Sequence, residues 1–389
     1  MPAWHTYHQC QAGMACFQER LFGKHRLQRT GLGVGTKGIT CKHYELLMTH
    51  KYLQIAGQKT LYAFDEKLSN LGSVAPKANT IILTDENVQQ AHGTKWKGYK
   101  AIVVPAGEPH KQQSTIDGVI ARLMDYGADR TTTLVGIGGG VVTDMAGYAA
   151  SVYMRGIRVG LVPTSILAMV DAAIGGKNGV DVGPYKNLVG TIRQPDFLWF
   201  DTATLKTLPQ QEWQNGFAEI IKHSAIKDAA MFKELEQRTV PYWQRSKQAL
   251  QWLIKRNALL KTKVVQADPT EKGDRKLLNF GHTIGHAIEN DLNLPHGYAI
   301  AIGMVLACSL SAQHTGFKQT LKLVNLLEQY GLPTHAQWQA EQVMHRLQHD
   351  KKRVRSDVHF VLLEKIGKAV VKPIPVAQIQ QFLQSVSAT

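Results

Sequence analysis

Leu277–Gly297 reads LLNFGHTIGHAIENDLNLPHG. Asn279, His282 and His286 stand at i, i+3 and i+7, so a helix would carry all three on one face. His296 follows ten residues after His286, inside a Pro-His-Gly turn. Imidazoles at i, i+4 with a third from a nearby loop form a spacing that holds a divalent cation. The same spacing without an adjacent Glu also occurs as an ordinary polar helix face. The residues alone leave both readings open.

Outward from that stretch, the N-terminal side alternates strand and helix signals. Short buried-strand patterns at Ile81–Leu83, Ala101–Val104, Thr132–Val135, Ile157–Val162 and Leu198–Phe200 are separated by helical periodicity. Organised sequence is expected to begin near Leu61. Strand, Gly136-Ile-Gly-Gly-Gly140, a helical run Val141–Tyr153 and a further strand make a βαβ unit of a parallel sheet. Glycines after a strand let backbone approach a phosphate at the following helix N-terminus. Val141 stands where the dinucleotide fingerprint has its third glycine, so the match is partial, and a glycine turn without ligand is the bland alternative. Gly175-Gly-Lys177 and Lys186-Asn187 read as a loop or hairpin presenting two cations and an amide, suited to oxyanions.

From Pro209 the apolar spacing turns helical. In a helix starting near Gln211, Asn215, Glu219 and Lys222 share one stripe. A Glu–Lys pair at i, i+3 is most often a weak surface ion pair. The competing reading is a carboxylate metal ligand beside a substrate-binding cation, since two histidines and a carboxylate make an open zinc site. Lys261 and Lys263 fall on a further helix, Ile300–Leu310 on an apolar core helix, Asp350-Lys351-Lys352 on a charged turn, and Phe360–Leu363 on a strand. The expected organisation is an extension over 1–45, an α/β domain over 46–207 and an α-helical domain over 208–389.

The chain has 389 residues, 44% hydrophobic and 19% charged, the composition of a globular protein of about two domains. No apolar run suggests a membrane span. The formal charge of +15 invites a nucleic-acid reading. The basic residues are scattered, however, without a block or an aromatic-interleaved motif, so no nucleic-acid partner is expected. Three of four cysteines (Cys10, Cys16, Cys41) lie in the first 41 residues, which is no disulfide framework and fits a reducing cytoplasm. That segment has no apolar h-region. It reads as a disordered extension, or as sequence upstream of the true start, with Met48 an alternative initiator.

An ordered set of motifs resembles the 3-dehydroquinate synthase family from about residue 50 to 380. The set comprises Gly138-Gly-Gly-Val-Val-Thr-Asp144, Met154-Arg-Gly156, Val162-Pro-Thr164, Val170-Asp171, Gly175-Gly-Lys177, Lys186-Asn187, Ala218-Glu-Ile-Ile-Lys222, Leu277 through His286, and His296-Gly297. The resemblance implies a Rossmann-like N-terminal α/β domain holding NAD and an all-α C-terminal domain holding Zn²⁺ or Co²⁺. It makes Glu219, His282 and His296 the metal ligands, and His286 a substrate-contacting proton-transfer group rather than a ligand. Glu271 matches a second proton acceptor, with Lys177 and Lys222 also catalytic. NAD contacts are implied for Asp85, Asn87, Glu108, Lys111, Gly139, Gly140, Asp144, Thr164, Ser165, Lys186, Thr204, Thr207 and Asn215. Substrate contacts are implied for Asp171, Lys177, Asn187, Lys222, Lys261, Arg275, Asn279, His286 and Lys352, the last chosen from the Lys351/Lys352 pair. Arg155 would reach a neighbouring subunit's substrate, implying a homodimer.

The implied reaction is a carbon–oxygen lyase step of the shikimate pathway, leading to aromatic amino acids. It converts 3-deoxy-D-arabino-heptulosonate 7-phosphate to 3-dehydroquinate and phosphate. The chain departs from the family at Thr143, Ala172, Ala173, Asn178, Pro269 and Tyr298. Three rivals stand beside this reading: a sugar-phosphate cyclase acting on a substrate without a carboxylate, a polyol dehydrogenase of the same superfold, and a basic non-catalytic binding module.

Overall fold

The computed structural model describes residues 49–183, 185–349, 353–354 and 357–387. The expectations for 1–45, Met48, the Asp350-Lys351-Lys352 turn and Lys352 lie outside the described residues.

Among the described residues, regular structure precedes Leu61, in a hairpin of β1 (His50–Ile55) and β2 (Gln58–Phe64). Its two-residue turn puts Ala56 at φ 48 and Gly57 at φ 83. Both central residues are left-handed, which is the geometry Asn-Gly normally announces; here it is spelled Ala-Gly and was not recognised. Next come β3 (Thr80–Asp85), α1 (Glu86–His92), β4 (Lys100–Val104), α2 (Gln113–Asp125) and β5 (Thr133–Gly138). They lead to α3 (Gly140–Val152), β6 (Arg158–Pro163), a hairpin of β7 (Lys177–Val182) and β8 (Tyr185–Ile192), and β9 (Phe197–Phe200). One seven-stranded sheet runs β1-β2-β9-β6-β5-β3-β4, parallel throughout except for the β1–β2 pair. Strands β3, β5 and β9 are buried at every position, as expected of a sheet covered on both faces.

Close packing of α3 on this sheet replaces the missing third glycine of the fingerprint. A methyl group on Gly136 would sit 2.5 Å from the Ala146 Cβ, and one on Gly138 2.5 Å from the Val142 Cβ. The strand, not the helix, supplies the absent side chains that let the two elements touch.

The second half is mainly helical: α4 (Gln210–Lys227), α5 (Ala229–Glu236), α6 (Val240–Arg245), α7 (Lys247–Ala267), α8 (His282–Leu292), α9 (His296–Thr315), α10 (Thr320–Gln329), α11 (Ala340–His349) and α12 (Val376–Ser387). To these it adds a three-stranded antiparallel sheet of β10 (Arg353–Val354), β11 (Asp357–Lys365) and β12 (Lys368–Pro375), which contains the expected strand at Phe360–Leu363. By length and composition α9 is apolar enough to pass for a membrane span, but it is the core helix expected over Ile300–Leu310. Its side chains instead form the centre of this half, with Ile300, Met304 and Cys308 fully buried. One apolar core joins sheet and helices, and Tyr62 of β2 shares a buried 2.9 Å hydrogen bond with Thr262 of α7.

Two details differ from the helical reading of Leu277–Gly297. Asn279 ends a short 3₁₀ turn (Asp274–Asn279), and the helix proper starts at His282. Gly281 between them sits at φ 79, where a side chain would meet the Met304 Cγ at 2.6 Å. His296 is not in a turn but is the first residue of α9, directly after Pro295.

Candidate active site

A cleft of about 2030 Å³ opens where the strand ends of the sheet face α4, α7, α8 and the start of α9. That is ample for a dinucleotide together with a small acid, since drug-sized pockets run to about 1,000 Å³. Every residue expected to contact NAD lines it, from Asp85 and Asn87 through Thr204, Thr207 and Asn215. So do Asp171, Lys177, Asn187, Lys222, Lys261, Glu271, Arg275, Asn279, His282, His286 and His296. Arg155 does not: it is exposed, at φ 63, in the 3₁₀ turn after α3.

On the sheet side, Gly139 and Gly140 open α3 at the end of β5. Asp85 caps α1, accepting from the Val88 N–H at 2.9 Å. Lys111 is buried and donates to both Asp144 Oδ2 and Asn187 Oδ1 at 2.6 Å, tying α3 to the hairpin. Burial works against the Lys111 charge, but Asp144 and Glu108 overcome it and raise its pKa. Asn187, left-handed at φ 51, is thereby placed against Lys111. Thr143, where the family has glycine, is buried and bonds back to the Gly140 carbonyl at 3.0 Å. Asn178 clips the hairpin base, donating to the Gly176 and Arg193 carbonyls.

On the helical side, Glu219 and Lys222 are 0% and 2% exposed, so the surface ion-pair reading gives way to a buried pair. Glu219 is in ionic contact with Lys222, yet neither carboxylate oxygen has a hydrogen bond of good geometry. Leaving a buried carboxylate so poorly satisfied is costly unless something else pairs with it. Its Oε1 lies 3.5 Å from His282 Nε2 and 3.4 Å from His296 Nε2. Each imidazole has its other nitrogen occupied: His282 Nδ1 lies 3.1 Å from the Phe280 carbonyl, and His296 Nδ1 3.2 Å from Glu289 Oε2. Two oriented Nε2 atoms and a carboxylate, all within 4.8 Å of one another, match the donor set of an open zinc-type site. The residues fit a divalent cation.

The His286 ring packs on this group, its centroid 5.0 Å from that of His282 and 5.8 Å from that of His296. The backbone N–H of Gly297 donates to Asn215 Oδ1, so α4 caps the start of α9 and brings His296 to Glu219. A side chain at position 297 would collide with the Asn215 main chain.

Beside the triad, Asp171 gathers cations. Its Oδ1 is 2.8 Å from Lys261 Nζ, and its backbone carbonyl accepts from the same ammonium at 2.6 Å. Burial alone would push the Asp171 carboxyl up; Lys261, Lys222 and His223 hold it well below the ordinary range. Burial lowers the pKa of Lys261 and of Arg275, whose positive charges oppose one another. Arg275 donates to the Gly175 and Pro269 carbonyls, so the departure at Pro269 keeps a backbone acceptor in place. Glu271 joins Lys177 on one oxygen and the Asn279 amide on the other at 2.6 Å. Burial would raise the Glu271 carboxyl, but Lys177 and Asn279 outweigh it and keep it lowered, so the group stands ionised.

Three buried participants were missed in the sequence. His223 is 3.4 Å from Asp171 and is held from behind by Asn257 at 3.2 Å. Glu289 touches both His296 and Lys186. Only Glu289 carried a readable signal, at i+7 from His282 and i+3 from His286 on one helix.

Comparison with known proteins agrees with this arrangement. Family models described as 3-dehydroquinate synthase N-terminal and C-terminal match residues 101–215 and 216–353. The 3-dehydroquinate synthase of Campylobacter curvus (strain 525.92) is 38% identical over 323 residues, covering 80% of this chain and 92% of the relative. That of Methylacidiphilum infernorum (isolate V4) is 40% identical over 297 residues, covering 74% and 81%. Among solved structures, 2-deoxy-scyllo-inosose synthase complexed with carbaglucose-6-phosphate, NAD⁺ and Co²⁺ superposes with a TM-score of 0.77 at 26% identity, covering 87% of this chain and all of that one. The 2-epi-5-epi-valiolone synthase of Streptomyces hygroscopicus subsp. jinggangensis 5008, with NAD⁺ and Zn²⁺ bound, gives 0.77 at 25% identity, covering 86% and 98%. With both halves matched in order and curated relatives matched over most of their length, the chain belongs to the 3-dehydroquinate synthase family.

Proposed function

We propose that the chain is a 3-dehydroquinate synthase, using NAD and one divalent cation (Zn²⁺ or Co²⁺) to convert 3-deoxy-D-arabino-heptulosonate 7-phosphate to 3-dehydroquinate and phosphate. The observation that carries this is the charge of the cleft floor. Four cations, Lys177, Lys222, Lys261 and Arg275, stand there against three carboxylates, Asp171, Glu219 and Glu271. A divalent cation adds to that excess, and buried charge must be paired. A substrate with a carboxylate at one end and a phosphate at the other supplies the missing anions.

In this reading Lys261 and Arg275 hold the carboxylate, and Asp171 and Lys222 orient the hydroxyls between them. Lys177, Asn279 and Asn187 complete the substrate contacts, and Arg155 reaches a partner subunit's substrate. His286 and Glu271 move protons at the substrate. Bound NAD supplies a hydride acceptor that is restored within the turnover, while the cation supplies Lewis-acid polarisation of hydroxyls. Phosphate then leaves by elimination and the ring closes by an intramolecular aldol step, with positioning in an enclosed site giving much of the rate. The site belongs to an α/β domain over 46–207 and a helical domain over 208–389, acting in the cytoplasm. A homodimer is supported by exposed apolar side chains near Arg155, namely Val152, Met154 and Ile192.

The decisive assay supplies substrate, NAD and zinc to the purified chain and follows phosphate. Phosphate release with no net change in nicotinamide absorbance supports the cyclase. Accumulating NADH would favour a dehydrogenase. Turnover of sedoheptulose 7-phosphate or glucose 6-phosphate in preference would favour a cyclase whose substrate lacks the carboxylate; against that stands the presence of Lys261 and Arg275 together in the cleft, two cations suited to a substrate carboxylate.

A further inference from the structure

We propose that Glu289 is a positioning residue that couples the metal site to the dinucleotide site, by sharing one carboxylate between His296 and Lys186. This rests on the metal and NAD reading above. Glu289 is buried in α8, and each of its oxygens has a different partner. Oε2 lies 3.2 Å from His296 Nδ1, while Oε1 meets the Lys186 ammonium on the exposed strand β8.

The two histidine ligands therefore differ in how they are oriented. His282 Nδ1 faces a backbone carbonyl, which is fixed by the fold. His296 Nδ1 faces a side chain whose charge is divided with a mobile-length lysine. A carboxylate behind a ligating imidazole fixes its tautomer and raises its basicity. As long as Lys186 draws on the same carboxylate, that effect is diluted. A dinucleotide that engages Lys186 releases Glu289 wholly to His296, so the cation is held more tightly. By linkage, the cation tightens the dinucleotide by the same factor.

The test measures zinc affinity of the metal-stripped full chain by competition with a chromogenic chelator, with and without NAD. Zinc binding by the native chain and its loss in His282→Ala establish the metal site independently of Glu289. Glu289→Gln keeps the shape and is expected to weaken zinc on the order of 10- to 100-fold, the usual cost of removing such a partner. NAD is expected to tighten zinc severalfold in the native chain and not in Glu289→Gln. Lys186→Met, on an exposed strand where folding is not at stake, is expected to tighten zinc in the absence of NAD and to abolish the NAD effect. Native zinc affinity in Glu289→Gln, an NAD effect that survives in it, or weaker zinc in Lys186→Met would each overturn the coupling while leaving the metal site standing.

Discussion

The two walls of the cleft are built on opposite principles. The sheet wall works by what it lacks: Gly136 and Gly138 let strand and helix approach one another, and Gly139 and Gly140 open α3 without side chains. The helical wall works by what it buries, with Glu219, Lys222, Lys261, Arg275 and His282 all inside. A wall of absent side chains fails when atoms are added, and it fails sterically. A wall of buried charge fails when atoms are removed, because the groups left behind lose their partners.

The largest effect is therefore expected on the helical wall. His282→Ala is expected to lose retained zinc and bring turnover to background, read by metal analysis after desalting. In the native chain, a chelator is expected to do the same reversibly, with zinc restoring activity. Activity that survives both treatments would mean the triad holds no working cation.

Lys177→Ala comes next. It removes the cation on Glu271 but touches none of the glycine wall. A fall in kcat/KM on the order of a hundredfold is expected, with NAD affinity unchanged in a fluorescence titration. If NAD binding falls in parallel, the two walls are not as separable as drawn.

Gly138→Ala probes the other wall. The added methyl would lie 2.5 Å from the Val142 Cβ, so α3 must shift. Overpacking of this kind costs about 1–3 kcal/mol, visible as a lower denaturation midpoint. Weaker NAD, with zinc affinity unchanged when measured without NAD, is the expected signature.

The smallest signal is a partial recovery: Arg155→Ala is expected to be nearly inactive alone. Mixed with His282→Ala, it is expected to recover about a quarter of the native activity, because half the dimers would then hold one complete site. No recovery would place Arg155 outside the partner's site.

Much of the sheet wall was legible in the sequence because parallel strands and their glycine turns are local patterns. The failures there were also local: Ala56-Gly57 hid a hairpin, and the substitute for the third glycine lay in the strand rather than the helix. The helical wall was legible in a different way. Spacing alone suggested His282, His286 and His296 as a metal group, and the rings do lie within 5.8 Å of one another. But spacing could not reveal that Glu219, more than sixty residues upstream, faces His282 and His296. The same holds for Lys261 with Asp171, ninety positions apart. Such pairings are made by packing; residue type raised Glu219 as one of two readings, and only the ordered motifs pointed to the rest. His223 and Asn257 lie behind Asp171 with no pattern of their own.

The meeting of Gly297 with Asn215 has a consequence for anyone moving this candidate cation site into another protein. Copying the three donor side chains would not be enough, because the third arrives through two main chains pressed together. The histidine and the glycine after it are one part, and a transplant that keeps the first while relaxing the second would hold its imidazole at the wrong distance.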